Sequence, residues 1–429
     1  MTTTSPNSVL SGYRVIELAS ERCALAGKLM ADMGAEVIVV EPPEGCKTRS
    51  WEPFADDVTD PENSLHWWHY NTSKKSVALD LDTDTDAQQF RSLIMTADVV
   101  IEAEPPRRLE ALALDWEQFR EINSELIWTS ITHHGRDGTD PPATDLTLLA
   151  EGGPAWSCGY DDHEIPPVRG GGNQAFHTAC HYAVPSILAA LMWREDSGRG
   201  QLIDVSLLNS SNATTEFATL WWLNGERQVE RQTGRHALPT MTEWTQIQCA
   251  DGRWFNTGVP PRNKREFQAL RSWIEQLDLT EECSAYEILK LGDQFERIGL
   301  LELDEDPLAG EVFQAGRDAI EFLGQHLKAY DLFVGLQQRG MACGIVYSPD
   351  EMIEDPHFVE RGFPEEIFYE TRNASYTHPG APYRFARTPW KTTRAPHLGE
   401  HQSLIEALPD LSLIHISEPT RPRLISYAV

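Results

Sequence analysis

The alternation of short apolar runs with amphipathic segments through the first half of the chain restricts its fold more than any other feature. YRVIELA (Tyr13–Ala19) and EVIVVEPP (Glu36–Pro43) are β-rich runs, and AGKLMADMGA (Ala26–Ala35) between them carries a helical apolar stripe stopped near Gly34. Strand, helix and strand in this short space form a βαβ unit, which implies parallel pairing through a right-handed crossover. The unit recurs. SVALDLD (Ser76–Asp82), DVVIEAE (Asp98–Glu104), LIWTSITHHG (Leu126–Gly135) and QLIDVSL (Gln201–Leu207) read as further strands. DAQQFRSLIMTA (Asp86–Ala97) and WEQFREINS (Trp116–Ser124) read as helices between them, and Ala183–Arg194 as a long apolar one. Repeated alternation predicts a doubly wound α/β sheet.

At 429 residues the chain exceeds one simple core,. Beyond residue 225 the texture changes to charged helices such as REFQALRSWIEQL, with one hairpin signal, WTQIQCADGRWFNTGV, turning at Asp251-Gly252,. From Gly344 the chain is proline-marked, with Pro379, Pro382, Pro389 and Pro396 favouring an extended path,. The expected division is therefore a large sheet domain over 1–224 and a smaller α+β domain over 225–335. A connector returning to the large domain spans 336–411. SLIHISEPTRPRLISYAV (412–429) has no periodicity in common with what precedes it and reads as a non-native tail,.

A formal charge of −30 sets up a field that repels nucleic acid and anionic membranes,. No run of about 18 apolar residues is expected to span a membrane. MTTTSPNSVLSGYRV lacks the features of a secretion signal,. The seven cysteines are scattered without CxxC spacing. Reduced thiols, a cytoplasmic setting and no metal are the expectation.

Eight stretches, in order, resemble the class III CoA-transferase (CaiB/BaiF) family, which includes formyl-CoA transferase, carnitine CoA-transferases and the α-methylacyl-CoA racemases. They are LSGYRVIEL, LMADMGAEVIVVEPPEG, NTSKKSVALDLDT, ADVVIEAEPPRRLEALAL, ILAALMWREDSGRGQLIDVSLL, CADGRWFNTG, EMIEDPHFVERGF and HPGAPYRFARTPWKTTRAPHLGEH. The resemblance implies a Rossmann-like large domain, a smaller inserted domain and two chains interlocked like links. It implies acyl-CoA and carboxylic acid substrates. In the family chemistry an aspartate attacks the acyl-CoA thioester to give a mixed anhydride. The CoA thiolate then returns to that carboxyl as an aspartyl-CoA thioester. Racemases on the same fold move an α-proton with histidine and aspartate.

The family nucleophile lies about a dozen residues before an AAL triplet, here Ala189–Leu191; counting back reaches Ala175 or Phe176, and no carboxylate occurs from Gly170 to Arg194. Three readings stay open. The chain is a transferase using another residue, it is the non-nucleophilic subunit of a transferase with an aspartate-bearing paralogue, or it is a CoA-binding paralogue without catalysis. A racemase-like isomerase is a further alternative. For the first reading the candidates are His177, as base or nucleophile, and Asp145 in ATDLTLLAEGG, where relatives place an active-site acid,. The plain alternatives are a backbone-bonded histidine and an N-cap for LTLLAEGG. For the CoA phosphates the candidates are Arg49 in CKTRSW and Asn71, Ser73, Lys74 and Lys75 in NTSKKSV,. A solvated basic pair is the plain alternative for the lysines.

Overall fold

The computed structural model describes residues 8–299, 303 and 306–408, and the expected tail at 412–429 lies outside the described residues. In chain order the elements begin β1 (Arg14–Leu18), α1 (Ala24–Asp32), β2 (Glu36–Glu41), α2 (Leu65–Tyr70), β3 (Lys75–Ala78), α3 (Asp84–Ile94) and β4 (Val99–Glu102). They continue α4 (Arg108–Ala111), α5 (Trp116–Phe119), β5 (Ile127–Thr132), α6 (Asp145–Glu151), α7 (Gln174–Ser197), β6 (Leu202–Ser206), α8 (Leu207–Asn212) and α9 (Glu216–Gly225). Then follow β7 (Gln246–Gln248), β8 (Trp254–Asn256), α10 (Lys264–Gln276), α11 (Tyr286–Leu289), α12 (Pro307–His326), α13 (Ala329–Gln338) and β9 (Gly344–Ile345). The last are α14 (Pro356–Arg361), β10 (Pro364–Tyr369), β11 (Ala374–Pro379) and α15 (Ser403–Glu406).

The first six strands form one parallel sheet in the order β3-β2-β1-β4-β5-β6, with Val15 opposite Val37 and Val99. The order reverses at β1 and β4, the arrangement of a doubly wound sheet. Both faces are covered. Val15, Val37, Val99 and Ile127 pack under α1 and α7, while Ile16, Ile38, Val77, Val100 and Trp128 pack under α3 and α15. Burial on both faces is why these strands read as unbroken apolar runs.

Contacts divide the chain into two units. One gathers the residues up to Ala155, Arg169–Glu216 and the chain from Gly362 on; the other holds Trp156–Val168 and Phe217–Arg361. This differs from the expected 1–224, 225–335 and 336–411. The return comes later because β9 pairs with β8, keeping that segment in the smaller sheet. The expected hairpin forms as β7 and β8, with Gly252 at φ 79°. The segment expected to be a plain connector folds in part into the antiparallel β10–β11 hairpin, turning at Asn373 with φ 49°.

α7 runs through Pro185 and begins nine residues before the expected Ala183. By length and composition alone it would cross a membrane, contrary to the expectation of no such run. Its Ala179, Ala183, Ile187 and Leu191 are packed in the core of the sheet unit, so it is a core helix.

α1 is fastened by a buried ion pair. Lys74 Nζ lies 2.8 Å from the Glu17 carboxylate, and both side chains are sealed from solvent. The ammonium also donates to Ala24 O at 2.9 Å and Asn71 Oδ1 at 3.0 Å. Burial pushes the Glu17 carboxyl up to about 7, against the pull of Lys74. Only a residue without Cβ fits over the pair: a Cβ on Gly27 would stand 1.6 Å from Glu17 Oε2. Alanine normally favours a helix over glycine by about 1 kcal/mol. Gly27→Ala is expected to reverse that sign and cost on the order of 1–3 kcal/mol in urea denaturation. A neutral or stabilising result would show that the ion pair yields without cost.

Candidate active site

The first turn of a helix leaves backbone N–H groups without partners. At the head of α7 one of them is served from 30 residues away. Asp145 Oδ1 accepts from Ala175 N at 2.7 Å, and its Oδ2 pairs with Arg169 Nη1 at 2.7 Å. Arg169 also donates to Gly172 O at 2.7 Å, tying the glycine-rich loop to the same point. The cap of α6 itself is Thr144, in a reciprocal box with Thr147. Asp145 is thus a cap for α7, not for its own helix. Its negative charge sits where the helix dipole favours it.

Ala175 and Phe176, the two positions where counting from AAL places the family carboxylate, are buried in the core beneath the sheet. An ionised group at either would be stripped of water. His177, one residue on, turns outward. Its Nε2 lies 2.7 Å from the Tyr70 hydroxyl, so its ring partner is a side chain and not the backbone. Burial, then the charge of His181, holds its pKa below the ordinary value, partly offset by Asp145. Burial raises the Tyr70 phenol, which keeps its proton.

Tyr70 is ringed by imidazoles. His66 and His69 lie 4.7 and 4.6 Å from it, centroid to centroid. Both nitrogens of His66 lack a hydrogen-bond partner among the described residues. Burial lowers His66 to about 4, and burial followed by the Lys28 charge lowers His69 to about 3. The mouth of α7 therefore offers neutral donors and acceptors, with one carboxylate already held by Arg169.

The basic candidates lie elsewhere and are occupied. Arg49 is buried, grips Glu41 through Nε at 2.6 Å and Nη2 at 2.9 Å, and reaches Glu62 and Pro396 O. Its guanidinium stacks 3.8 Å above Trp67. Lys74 is sealed against Glu17, and Asn71 is sealed with it. Ser73 Oγ accepts from Thr393 N at 2.9 Å. Lys75 pairs with Glu36 at 2.6 Å, at the amino end of the strands. Trp67 and Trp68 are buried, Trp68 against Tyr369. Asn71 and Lys74 are in contact with each other, and Asn71 directly follows Tyr70, the partner of His177. Arg49 and Lys75 pair with Glu41 and Glu36.

Doubly wound sheets bind ligands outside the carboxyl ends of their strands. There, beyond β4 and β5, lies a cleft of about 450 Å³ lined by Glu102, Glu104, Arg107, Asp115, Thr132 and Arg136, among others. Arg107 is exposed, in a left-handed conformation with φ 72°. Arg136 pairs with Asp115 at 3.1 Å. Burial raises the carboxyls of Glu102 and Glu104. Reading the residues did not find this cleft. Its signal was the position of PPRR and HHGRDG directly after two strands.

Residues 10–402 match CoA-transferase family III. The chain is 30% identical to the succinyl-CoA:(R)-benzylsuccinate CoA-transferase subunit BbsE of Thauera aromatica, over 91% of this chain and 92% of that protein. It is 30% identical to the succinate–glutarate CoA-transferase of Agrobacterium fabrum, over 93% of this chain and 95% of that one. A crystal structure of a CaiB/BaiF family protein from Brucella suis superposes with TM-score 0.72 at 25% identity, covering 94% of this chain and 99% of that chain.

The buried imidazoles set a pH dependence. A histidine whose folded pKa lies below its unfolded value binds fewer protons when folded, so stability falls as pH drops through that interval. For His69 the interval runs from about 6.5 to about 3. Glu17, raised to about 7, acts with the opposite sign between about 4.5 and 7. Comparing parent and variant separates the two. His69→Gln is expected to lose less stability than the parent between pH 7 and pH 5 in urea titrations; parallel curves would mean that His69 is not held neutral.

Proposed function

The chain belongs to CoA-transferase family III, and on that premise we propose that it is the subunit without the nucleophile in a two-chain transferase. The reaction moves CoA from an acyl-CoA thioester to a carboxylic acid. One observation carries the reading. The two positions that should bear the attacking carboxylate are Ala175 and Phe176, packed in the core, and the nearby Asp145 has both oxygens engaged. An anhydride needs a carboxylate oxygen free to attack. The similarity to a protein named as a subunit supports the same reading. Several relatives named as succinyl-CoA transferases support a dicarboxylate donor.

In this reading the aspartate comes from a paralogous chain. This chain's Asp145 and Arg169 hold the head of α7, and His177 with Tyr70 presents neutral hydrogen-bonding groups there. Neutral groups near the partner's carboxylate leave it ionised and nucleophilic, where another carboxylate would raise its pKa. α9 supports a paired assembly. None of its residues is buried, and Leu220, Trp222 and Leu223 are exposed together on its surface. The CoA nucleotide is assigned to the cleft beyond β4 and β5, with Arg107 toward phosphate. Arg49, Asn71, Ser73, Lys74 and Lys75 hold the scaffold around α1, α2 and β3.

The test is exchange of labelled succinate with succinyl-CoA, by the chain alone and with an aspartate-bearing paralogue. Silence alone and exchange by the pair are expected; full exchange by the chain alone would overturn the proposal. In the active pair Asp145→Asn is expected to keep most of the exchange while lowering the melting temperature. Its carboxamide oxygen still accepts from Ala175 N, but the ion pair to Arg169 is lost. Complete loss of exchange in a folded Asp145→Asn protein would make Asp145 the nucleophile. Arg107→Ala is expected to weaken CoA binding about tenfold, the order of one lost charge-assisted contact. Unchanged affinity would move the phosphates out of this cleft.

A further inference from the structure

Three side chains that the transfer chemistry does not use meet where β5 ends. His133 Nε2 lies 2.9 Å from Glu151 Oε2, and His134 Nε2 lies 3.1 Å from Glu151 Oε1. Neighbours on a strand point to opposite faces. These two imidazoles instead stand 4.1 Å apart and tilted by 30°, because the chain leaves the strand at Thr132 and bends. Glu151 comes from the last turn of α6. All three donor atoms fall within 4.8 Å of one another.

The hydrogen bonds on the far sides of the rings fix what the near sides present. His134 Nδ1 faces Thr139 O at 3.0 Å, and His133 Nδ1 faces Pro141 O at 3.4 Å. A carbonyl oxygen only accepts, so each Nδ1 carries a proton. With Nδ1 turned to a carbonyl on each ring, Nε2 is the atom that each directs toward the Glu151 carboxylate. Positive charge belongs where these atoms converge, supplied either by protons on Nε2 or by a bound cation. Histidines that ligate metals are arranged in the same way, with one nitrogen donating to a carbonyl and the other free to bind.

We propose that His133, His134 and Glu151 form a binding site for a single zinc ion. Two imidazoles and a carboxylate are a donor set that zinc accepts. The spacing is close. Ligands about 2.0–2.1 Å from a tetrahedral zinc ion stand about 3.3–3.4 Å apart, and the two Nε2–oxygen separations of 2.9 and 3.1 Å have to open only slightly to admit one. His133 is buried, while Glu151 is about half exposed, leaving a path from solvent and room for a water as fourth ligand,. The ion would join the exit of β5 to α6, the helix whose first residue holds the head of α7.

The experiment titrates zinc chloride into the metal-stripped full chain at pH 7.5 by calorimetry. One saturable site per chain is expected, weakened about tenfold or more by Glu151→Gln and by His134→Asn, each checked for native circular dichroism. Zinc should raise the melting temperature of the parent and not of Glu151→Gln. Cobalt in its place should show ligand-field absorption without a sulfur charge-transfer band. Cys158, an exposed thiol, is the competing ligand. Binding abolished by Cys158→Ser, or surviving both substitutions, would overturn the site. So would the absence of saturable binding, which would leave the cluster as protonated histidines paired with Glu151.

Discussion

The contact between the Asp145 carboxylate and the first turn of α7 organises the candidate site. α7 is the long core helix under one face of the sheet, and its head needs an acceptor for its free N–H groups,. That acceptor comes from α6 and is neutralised by Arg169 from the intervening loop. With the cap supplied from outside, α7 is free to turn Ala175 and Phe176 inward as core residues. The same fixed geometry turns His177 toward Tyr70. The absence of a carboxylate at these positions is therefore part of how the helix is packed. It is more than one missing side chain on an otherwise unchanged surface.

The sheet was legible in the sequence because its four inner strands are buried on both faces, and one such as EVIVVE reads as an apolar run. The β10–β11 hairpin was not, since alternating exposed and buried residues between Pro364 and Pro379 leave a weak signal. The excursion of Trp156–Val168 into the smaller unit was invisible for a similar reason. These thirteen residues, with two prolines and scattered apolar side chains, have no periodicity that says which core they join. Site residues were harder still. Lys74 and Arg49 look like free cations in one dimension, but Glu17 lies 57 residues before Lys74, and Glu41 and Glu62 flank Arg49. The contacts of His177 with Tyr70 and of Asp145 with Arg169 leave no signal in the spacing of the chain.

The acidic composition explains why the basic candidates proved occupied. With 66 acidic and 36 basic side chains, most cations will find a carboxylate close by. Burying such a pair is tolerable when each charge meets its counterpart, as Lys74 meets Glu17 and Arg49 meets Glu41, although Glu17 Oε2 has no hydrogen-bond partner among the described residues,. A polyanionic ligand must then rely on the few guanidinium groups left at the surface. Arg107 is one, held at the carboxyl end of β4 by an unusual backbone conformation.

The two-chain reading follows from the same economy of charge. The mixed-anhydride route needs one ionised carboxylate per site, close to the thioester and free of a neutralising partner. Asp145 fails the second condition, because releasing it for attack would unpair Arg169 and uncap α7 together. His177 and Tyr70 meet a different need. Both are held in their neutral forms, His177 by lowering and Tyr70 by raising of the pKa. A neutral phenol and imidazole can hydrogen-bond oxygen atoms without competing for the incoming nucleophile's charge. In the proposed pair, a surface of this kind would complement an aspartate carried by the other chain.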